Sequence, residues 1–345
     1  MHNKKSRLSS IDVMKGICIL LVVVEHSLVP SMRSTDVLAK AIFDYIVTFL
    51  MAPFFLVSGY LFMRSLDKYQ THGAWLFITG KFRVLMIPYI CYSIVTYCTL
   101  FIAQYAYPPI LSLMESTGKI AEFSLPLVAF QILTNQGHVD FHLWYVYSLF
   151  IVFSLSFFGR KHYNKLIWII CAIGMFYLSY LVQLPQIIQM TSRYIFFFCL
   201  GGKTALVDFI LARKNWFPPL LLVVAVYGVF YMQIQQILPK PILVTAILLI
   251  ALLATAMFLT IAEAISGRKA GSVFKLLGDY SYDIYLMHQP YIVAALSTFL
   301  LLMTDLPHVV IAIISTFFGL IVPIIVSKYI LRRISVLRML FLGNH

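Results

Sequence analysis

Apolar runs long enough to cross a bilayer recur along nearly the whole chain, and they limit what it can fold into more than any other feature. Ten stretches stand out, at roughly 11–30, 42–63, 84–107, 139–158, 165–183, 194–212, 217–236, 242–265, 280–303 and 307–330. Each approaches or exceeds the ~20 residues with which a helix traverses ~30 Å of hydrocarbon. No water reaches that layer, so each segment must pair its own backbone N–H and C=O groups, and helices do this. The expected fold is all-α: a polytopic membrane protein with about ten transmembrane helices. Residues 1–345 read as a single integral-membrane domain with no appended soluble domain. Charged residues make up 11% of the chain, under half the ~25% of a soluble protein, so a soluble enzyme is excluded. The first run continues from Ile11 to Val29 without a small-residue cleavage site and reads as a retained span.

A net charge of +13 would point to nucleic acid in a soluble protein, but here its distribution follows topology. With the N-terminus placed in the cytoplasm, all but Arg33, Lys40, Lys119, Arg193 and Lys240 of the 26 Lys and Arg residues fall on the inner side. The positive-inside rule therefore puts both termini in the cytoplasm, with membrane lipid as a partner and no nucleic acid. The five cysteines, Cys18, Cys91, Cys98, Cys171 and Cys199, all lie in apolar spans and read as small buried hydrophobes, not as a disulfide framework.

Ionisable residues inside such spans cost at least ~2–3 kcal/mol each when charged, and so mark function by default. The first span carries Lys15 and His26, eleven positions and nearly three whole turns apart, hence on one face and about 16 Å apart along the axis. Asp12 is one turn before Lys15 and within pairing distance. Glu25 precedes His26; a carboxylate there can orient the imidazole, although adjacent helix positions do not face each other and another span can claim it. Snorkelling of Lys15 and a structural hydrogen bond for His26 are the competing explanations.

Other segments carry polar or basic groups at span ends. Pro53-Phe-Phe-Leu-Val-Ser-Gly-Tyr60 lies within the second run, where Ser58 and Gly59 permit close helix approach or a break. Lys81 and Arg83 stand at the inner mouth of the third, as stop-transfer anchors or as phosphate partners. Leu125–Leu133 is too short to span and suits an interfacial or re-entrant helix. His138, Asp140 and His142 are residue types that ligate zinc, while Trp144, Tyr145 and Tyr147 fit an interfacial belt or sugar stacking. In Gly278-Asp-Tyr-Ser-Tyr-Asp-Ile-Tyr-Leu-Met-His-Gln-Pro290, His288 precedes a proline that kinks or breaks the helix.

Taken in order, these segments resemble the integral-membrane acyltransferase-three family, the bacterial O-acyltransferases of surface polysaccharides. The resemblance rests on Lys15 and His26 (a basic residue, ten positions, then His), Phe54-Phe55-Leu56-Val57-Ser58-Gly59, Lys81 and Arg83 before Ile87-Pro88-Tyr89, His142-Leu-Trp-Tyr145, Arg193-Tyr-Ile-Phe-Phe-Phe-Cys-Leu-Gly201 and Ser281-Tyr-Asp-Ile-Tyr-Leu-Met-His288. It covers essentially the whole chain. It implies a bacterial inner-membrane O-acetyltransferase that takes an acyl group, most often acetyl, from cytosolic acyl-CoA. Acetyl-CoA would be a co-substrate with no bound cofactor or metal, and the acceptor a hydroxyl of a cell-surface or lipid-linked glycan, lipopolysaccharide included. His26 with Glu25 would be catalytic, and Lys15, Lys81 and Arg83 would hold acyl-CoA. Ser58, His142, Trp144, Tyr282 and His288 would position the substrate or stabilise the oxyanion. His26 serves as a general base or as the carrier of an acyl relay. The spans and buried ionisable groups are also compatible with a secondary transporter or flippase, or with an accessory component of polysaccharide export.

Overall fold

The computed structural model describes residues 2–66, 73–106, 124–137, 140–160 and 166–343. Their regular structure is all helical, with no strand among the described residues. The first helix, α1 (His2–Ser27), is ~39 Å long and packs against helices from both halves of the chain. Ile11, Val13, Met14, Cys18, Ile19, Val22 and Val23 on it are all buried, most of them on one broad face, while Ile17, Leu20, Leu21 and Val24 opposite are half-buried. After α2 (Pro30–Thr35) and α3 (Val37–Ile46), the chain makes a turn before α4 (Ala52–Arg64), whose first turn contains Pro53. The expected second run, 42–63, is therefore two helices. Pro53 has no N–H to give a continuing helix, which makes it a good helix starter and a poor interior residue.

Next come α5 (Ala74–Lys81) and α6 (Ile87–Ala106), joined through a π-helical turn over Phe82–Met86 that carries Arg83. The short α7 (Leu125–Thr134) is the expected non-spanning helix, and it ends on Asn135 in the left-handed conformation. Tyr89 and Tyr147 donate to the carbonyls of Ile132 and Leu133, each at 2.7 Å, and so satisfy two of its orphan C-terminal acceptors. A 3₁₀ turn at Phe141–Leu143 leads into α8 (Trp144–Gly159), followed by α9 (Leu166–Leu181). α10 (Gln186–Gly201) and α11 (Thr204–Leu211) meet at a 74° bend, so the expected run at 194–212 starts earlier and is sharply broken. The remaining helices are α12 (Phe217–Ile234), α13 (Lys240–Ile265), α14 (Lys269–Asp279), α15 (Ser281–Met287), α16 (Val293–Met303), α17 (His308–Val326) and α18 (Ser335–Leu342).

By length and composition, four stretches of the described residues can cross a membrane unaided: Ala74–Ala103, Phe141–Gly159, Lys240–Ile265 and His308–Leu331. The bent α10–α11 pair makes a fifth if taken as one span. Fewer stretches qualify than the ten expected, for identifiable reasons. α1 carries Asp12, Lys15 and Glu25, α9 has 16 residues and reaches only ~24 Å, and the expected 280–303 run is interrupted between Met287 and Val293.

Lipid is as apolar as leucine, so helix packing in a membrane depends on close approach and polar ties more than on burial. Two reciprocal glycine contacts meet that need. A Cβ on Gly16 of α1 would stand 1.8 Å from the Phe274 carbonyl oxygen, and one on Gly278 of α14 1.8 Å from that of Asp12. On α4 and α10, a Cβ on Gly59 would be 1.9 Å from the Phe198 oxygen and one on Gly201 1.9 Å from that of Leu56. Gly59 thus serves close packing, one of its two sequence readings. Of the cysteines only Cys18 and Cys199 are buried; Cys98 and Cys171 face outward, so the expectation of five buried thiols is corrected.

Candidate functional site

Three histidines from distant parts of the chain converge at the end of α1. His26 occupies the last turn of that helix, His142 sits in the 3₁₀ turn before α8, and His288 caps the C-terminus of α15. Ring centroids are 5.1 Å apart for His26 and His288, 5.3 Å for His142 and His288, and 6.2 Å for His26 and His142. His288 is fully buried and His142 nearly so, whereas the His26 side chain is 28% exposed and keeps an open flank.

Local backbone structure sets each ring. α1 ends at Ser27, whose hydroxyl donates to the Val24 carbonyl at 2.7 Å. Glu25 and His26 are chain neighbours, yet at this helix end their side chains meet: Glu25 Oε2 lies 3.4 Å from His26 Nδ1. A carboxylate there favours the tautomer with hydrogen on Nδ1, leaving a lone pair on Nε2. Glu25 is buried and also feels the charge of Arg33, on the short α2 that follows. His288 places Nδ1 2.8 Å from the Tyr285 carbonyl oxygen and 3.0 Å from that of Ile284.

Around the histidines lies an aromatic wall. Tyr285 donates its hydroxyl to the His142 carbonyl, and its ring is 5.8 Å from that of His142 and 6.0 Å from that of His288. Tyr145 packs against Tyr285 at 5.2 Å, and its hydroxyl lies near the Ser58 side chain. Ser58 therefore connects to the cluster through two tyrosines. Trp144 stacks on Tyr194 at 5.3 Å, and Tyr194 stacks on Phe55 at 5.1 Å. Tyr282 sends its hydroxyl to the Val84 carbonyl at 2.7 Å, in the 82–86 turn, and Tyr285, one helical turn on, takes the place beside the histidines.

At the other end of α1, Lys15 pairs with Asp12 at 2.8 Å, the local partnership expected from their spacing. Lys81 sets its Nζ 3.9 Å from the Phe153 ring centroid, a cation–π contact, while Arg83 is exposed. The three expected donor-binding cations thus stand on separate elements, Lys15 on α1 and the other two at the α5–α6 junction.

His138 lies outside the described residues, and Asp140 is buried. Among the described residues no group of three or more His, Cys, Asp or Glu side chains is placed to hold a metal ion.

Sequence reasoning does not single out Tyr285 or Arg332. Tyr285 stands inside a quoted motif, but its hydroxyl is aimed by a contact across the fold. Arg332 reads in sequence as one of the basic residues that set topology; it pairs with the buried Asp283 carboxylate at 2.7 Å.

A family profile described as an acyltransferase domain, that of the acyltransferase 3 family, matches residues 8–328, nearly the whole chain. Neither a curated protein nor a solved structure gives a significant match.

Proposed function

Since the chain belongs to the acyltransferase 3 family and is a membrane protein, we propose that it moves an acetyl group from acetyl-CoA to a hydroxyl of a cell-surface or lipid-linked glycan. The observation that carries this reading is the convergence of His26, His142 and His288 beside the Glu25 carboxylate, with His26 alone keeping an open flank.

His26 Nε2 takes the proton of the acceptor hydroxyl as its oxygen attacks the thioester carbonyl. The C–O bond forms, the C–S bond breaks, and the proton passes to the departing thiolate, giving the free thiol. Glu25 holds Nδ1 and stabilises the imidazolium between those transfers. A thioester is already activated, and the family resemblance calls for no resident metal or cofactor.

Both termini face the cytoplasm of a bacterial inner membrane in this reading. Lys15, Lys81 and Arg83 then lie on the side of the soluble, phosphate-rich donor, where Arg can grip phosphate bidentately and Lys as a point charge. The pantetheine arm is thin enough to run along α1, and Lys15 and His26 are about 16 Å apart along it. Ser58, His142, Trp144, Tyr282 and His288 position the acceptor directly or through their neighbours, with Ser58 acting through Tyr145 and Tyr285.

The test is acetyl-CoA binding and turnover by the purified protein in detergent, beside His26→Ala, Lys15→Ala and Lys15→Arg. Turnover lost in His26→Ala, with donor binding weakened in Lys15→Ala and restored in Lys15→Arg, supports the assignment. Near-normal turnover in His26→Ala sinks it. Substrate flux into proteoliposomes without covalent change would favour a transporter instead.

A further inference from the structure

The turn that carries Arg83 is held in place by two segments far from it in sequence. It is π-helical over Phe82–Met86, and Pro88 supplies a reason. In an α-helix the Val84 carbonyl would accept from the N–H of residue 88, but a proline has none and its ring crowds that carbonyl. A widened turn relieves the crowding, and a donor from outside the helix can then serve the oxygen. Tyr282 is that donor: its hydroxyl meets the Val84 oxygen at 2.7 Å.

The second support comes from the end of α18. Gly343 has φ +71°, and a Cβ on it would stand 2.5 Å from Val84 Cα and 2.6 Å from the Val84 oxygen. Glycine alone meets both demands. α18 is itself fixed, with Leu342 buried beside Met287 and Leu331, and with the Phe341 ring 5.1 Å from that of Tyr92. On the N-terminal side of Arg83, the Phe82 ring lies 5.9 Å from that of Phe150 on α8. Arg83 is therefore an exposed cation between two anchored neighbours. A side chain on a backbone already fixed loses less freedom when an anion arrives, and so binds it more tightly. Tyr282 also stands six residues, or ~9 Å of helix, before His288, so one short helix touches both this turn and the histidine cluster.

We propose that Tyr282 and Gly343 are positioning residues for the donor: acting through Val84, they fix the 82–86 turn so that Arg83 meets the nucleotide phosphates of acyl-CoA. The inference rests on the acyl-CoA reading above and assigns to that donor site two residues that do not touch the donor. It also gives Pro88 a part, as the residue that frees the Val84 carbonyl for Tyr282.

The experiment titrates the purified protein in detergent, at low ionic strength, with acetyl-CoA and with acetyl-pantetheine. The second ligand has the same thioester and arm but no phosphate. The readout is the dissociation constant for acetyl-pantetheine divided by that for acetyl-CoA, which isolates what the phosphates contribute. In the wild type it should be about ten or more, the scale of one charge-assisted hydrogen bond. Arg83→Ala should lower it about threefold to tenfold. Tyr282→Phe should lower it about threefold, within the range of one neutral hydrogen bond, and Gly343→Ala should act in the same direction. Added to Arg83→Ala, Tyr282→Phe should lower the ratio no further, because a residue that acts through Arg83 then has nothing to aim. A purely structural role would weaken both ligands alike and leave the ratio where it was.

A ratio unchanged in Tyr282→Phe, or lowered by the same factor with and without Arg83, overturns the proposal. If Tyr282→Phe fails to accumulate, Gly343→Ala, alone and combined with Arg83→Ala, decides on the same criteria. A wild-type ratio near one sinks the positioning role and leaves the thioester as donor. A wild type that binds neither ligand removes the donor reading as well.

Discussion

The imidazoles of His26 and His288 stand 5.1 Å apart, yet the His26 side chain is 28% exposed while His288 is fully enclosed. Proximity with unequal access divides their roles. The ring with an open flank can meet a reacting group and release a proton, and the enclosed ring can only hold what is brought to it. Glu25 reinforces the division, because its carboxylate is beside His26 Nδ1.

Glu25 should act through His26. Glu25→Gln keeps the shape and removes the charge, and we expect turnover to fall about tenfold to hundredfold, as when a histidine loses its orienting partner. The KM for acetyl-CoA should stay within about twofold. His26→Ala should cost ~10²–10⁴-fold, the usual range for a general base. Steady-state turnover of the double variant should then match His26→Ala alone, because two residues working as a unit are not additive. Multiplicative losses would place Glu25 in a separate role, with Arg33 as its partner.

Much of this site is legible in the sequence because membrane interiors make polar residues conspicuous. Lys15, Glu25 and His26 stand out against an apolar run, and spacing alone pairs Asp12 with Lys15, as in the fold. Segment 125–133 is too short to span, and in the fold Leu125–Thr134 is a short helix. Long-range partnership is not legible. Nothing local announces that Arg332 serves Asp283, that Tyr285 reaches the His142 backbone, or that Gly16 must meet Gly278. Hydropathy also cannot see a break inside an apolar run, so 42–63 and 280–303 each read as one helix and are two.

The two glycine crossings should be intolerant of the smallest side chain. Gly16→Ala places a methyl group where the Phe274 carbonyl oxygen now lies, and Gly201→Ala does the same at Leu56. Backbone cannot yield as a flexible side-chain tip can, so each should destabilise by ~1–3 kcal/mol, the range for overpacking. A methyl group added at Gly174, inside α9, would meet nothing within 4 Å, and Gly174→Ala should be neutral or stabilising by up to ~1 kcal/mol through helix propensity. Thermal unfolding midpoints in detergent would separate the two groups. A Gly16→Ala midpoint equal to wild type would contradict the crossing.

At the donor end, exposure should set salt dependence. Arg83 is exposed, whereas Lys81 is tucked over the Phe153 ring. Arg83→Ala should weaken acetyl-CoA binding about threefold to tenfold at low ionic strength, with the difference nearly gone at about 0.5 M salt, where the Debye length is only ~4 Å. Lys81→Ala should keep more of its effect in high salt, because a partly buried charge is screened less. Titrations at two salt concentrations measure both. Equal salt sensitivity in the two variants would remove the distinction.

Asp283 and Arg332 form the tie that should hold His288 in place. Arg332 reaches one carboxylate oxygen with Nε at 3.2 Å and Nη2 at 2.7 Å, and the Ser327 hydroxyl donates to the same oxygen. Asp283 is almost wholly buried on α15, the helix that ends at His288, while the Arg332 side chain is 41% exposed. Arg332→Ala leaves a buried carboxylate with one neutral donor. Breaking a buried pair costs ~3–5 kcal/mol, and the exposure of Arg332 reduces the expected loss to ~1–3 kcal/mol. Asp283→Asn should be milder, and combining it with Arg332→Ala should recover stability, since no orphaned charge remains. The thermal midpoint should therefore rank wild type, then the double variant, then Arg332→Ala. A double variant less stable than Arg332→Ala would mean that the two side chains act independently, and α15 would then need another anchor.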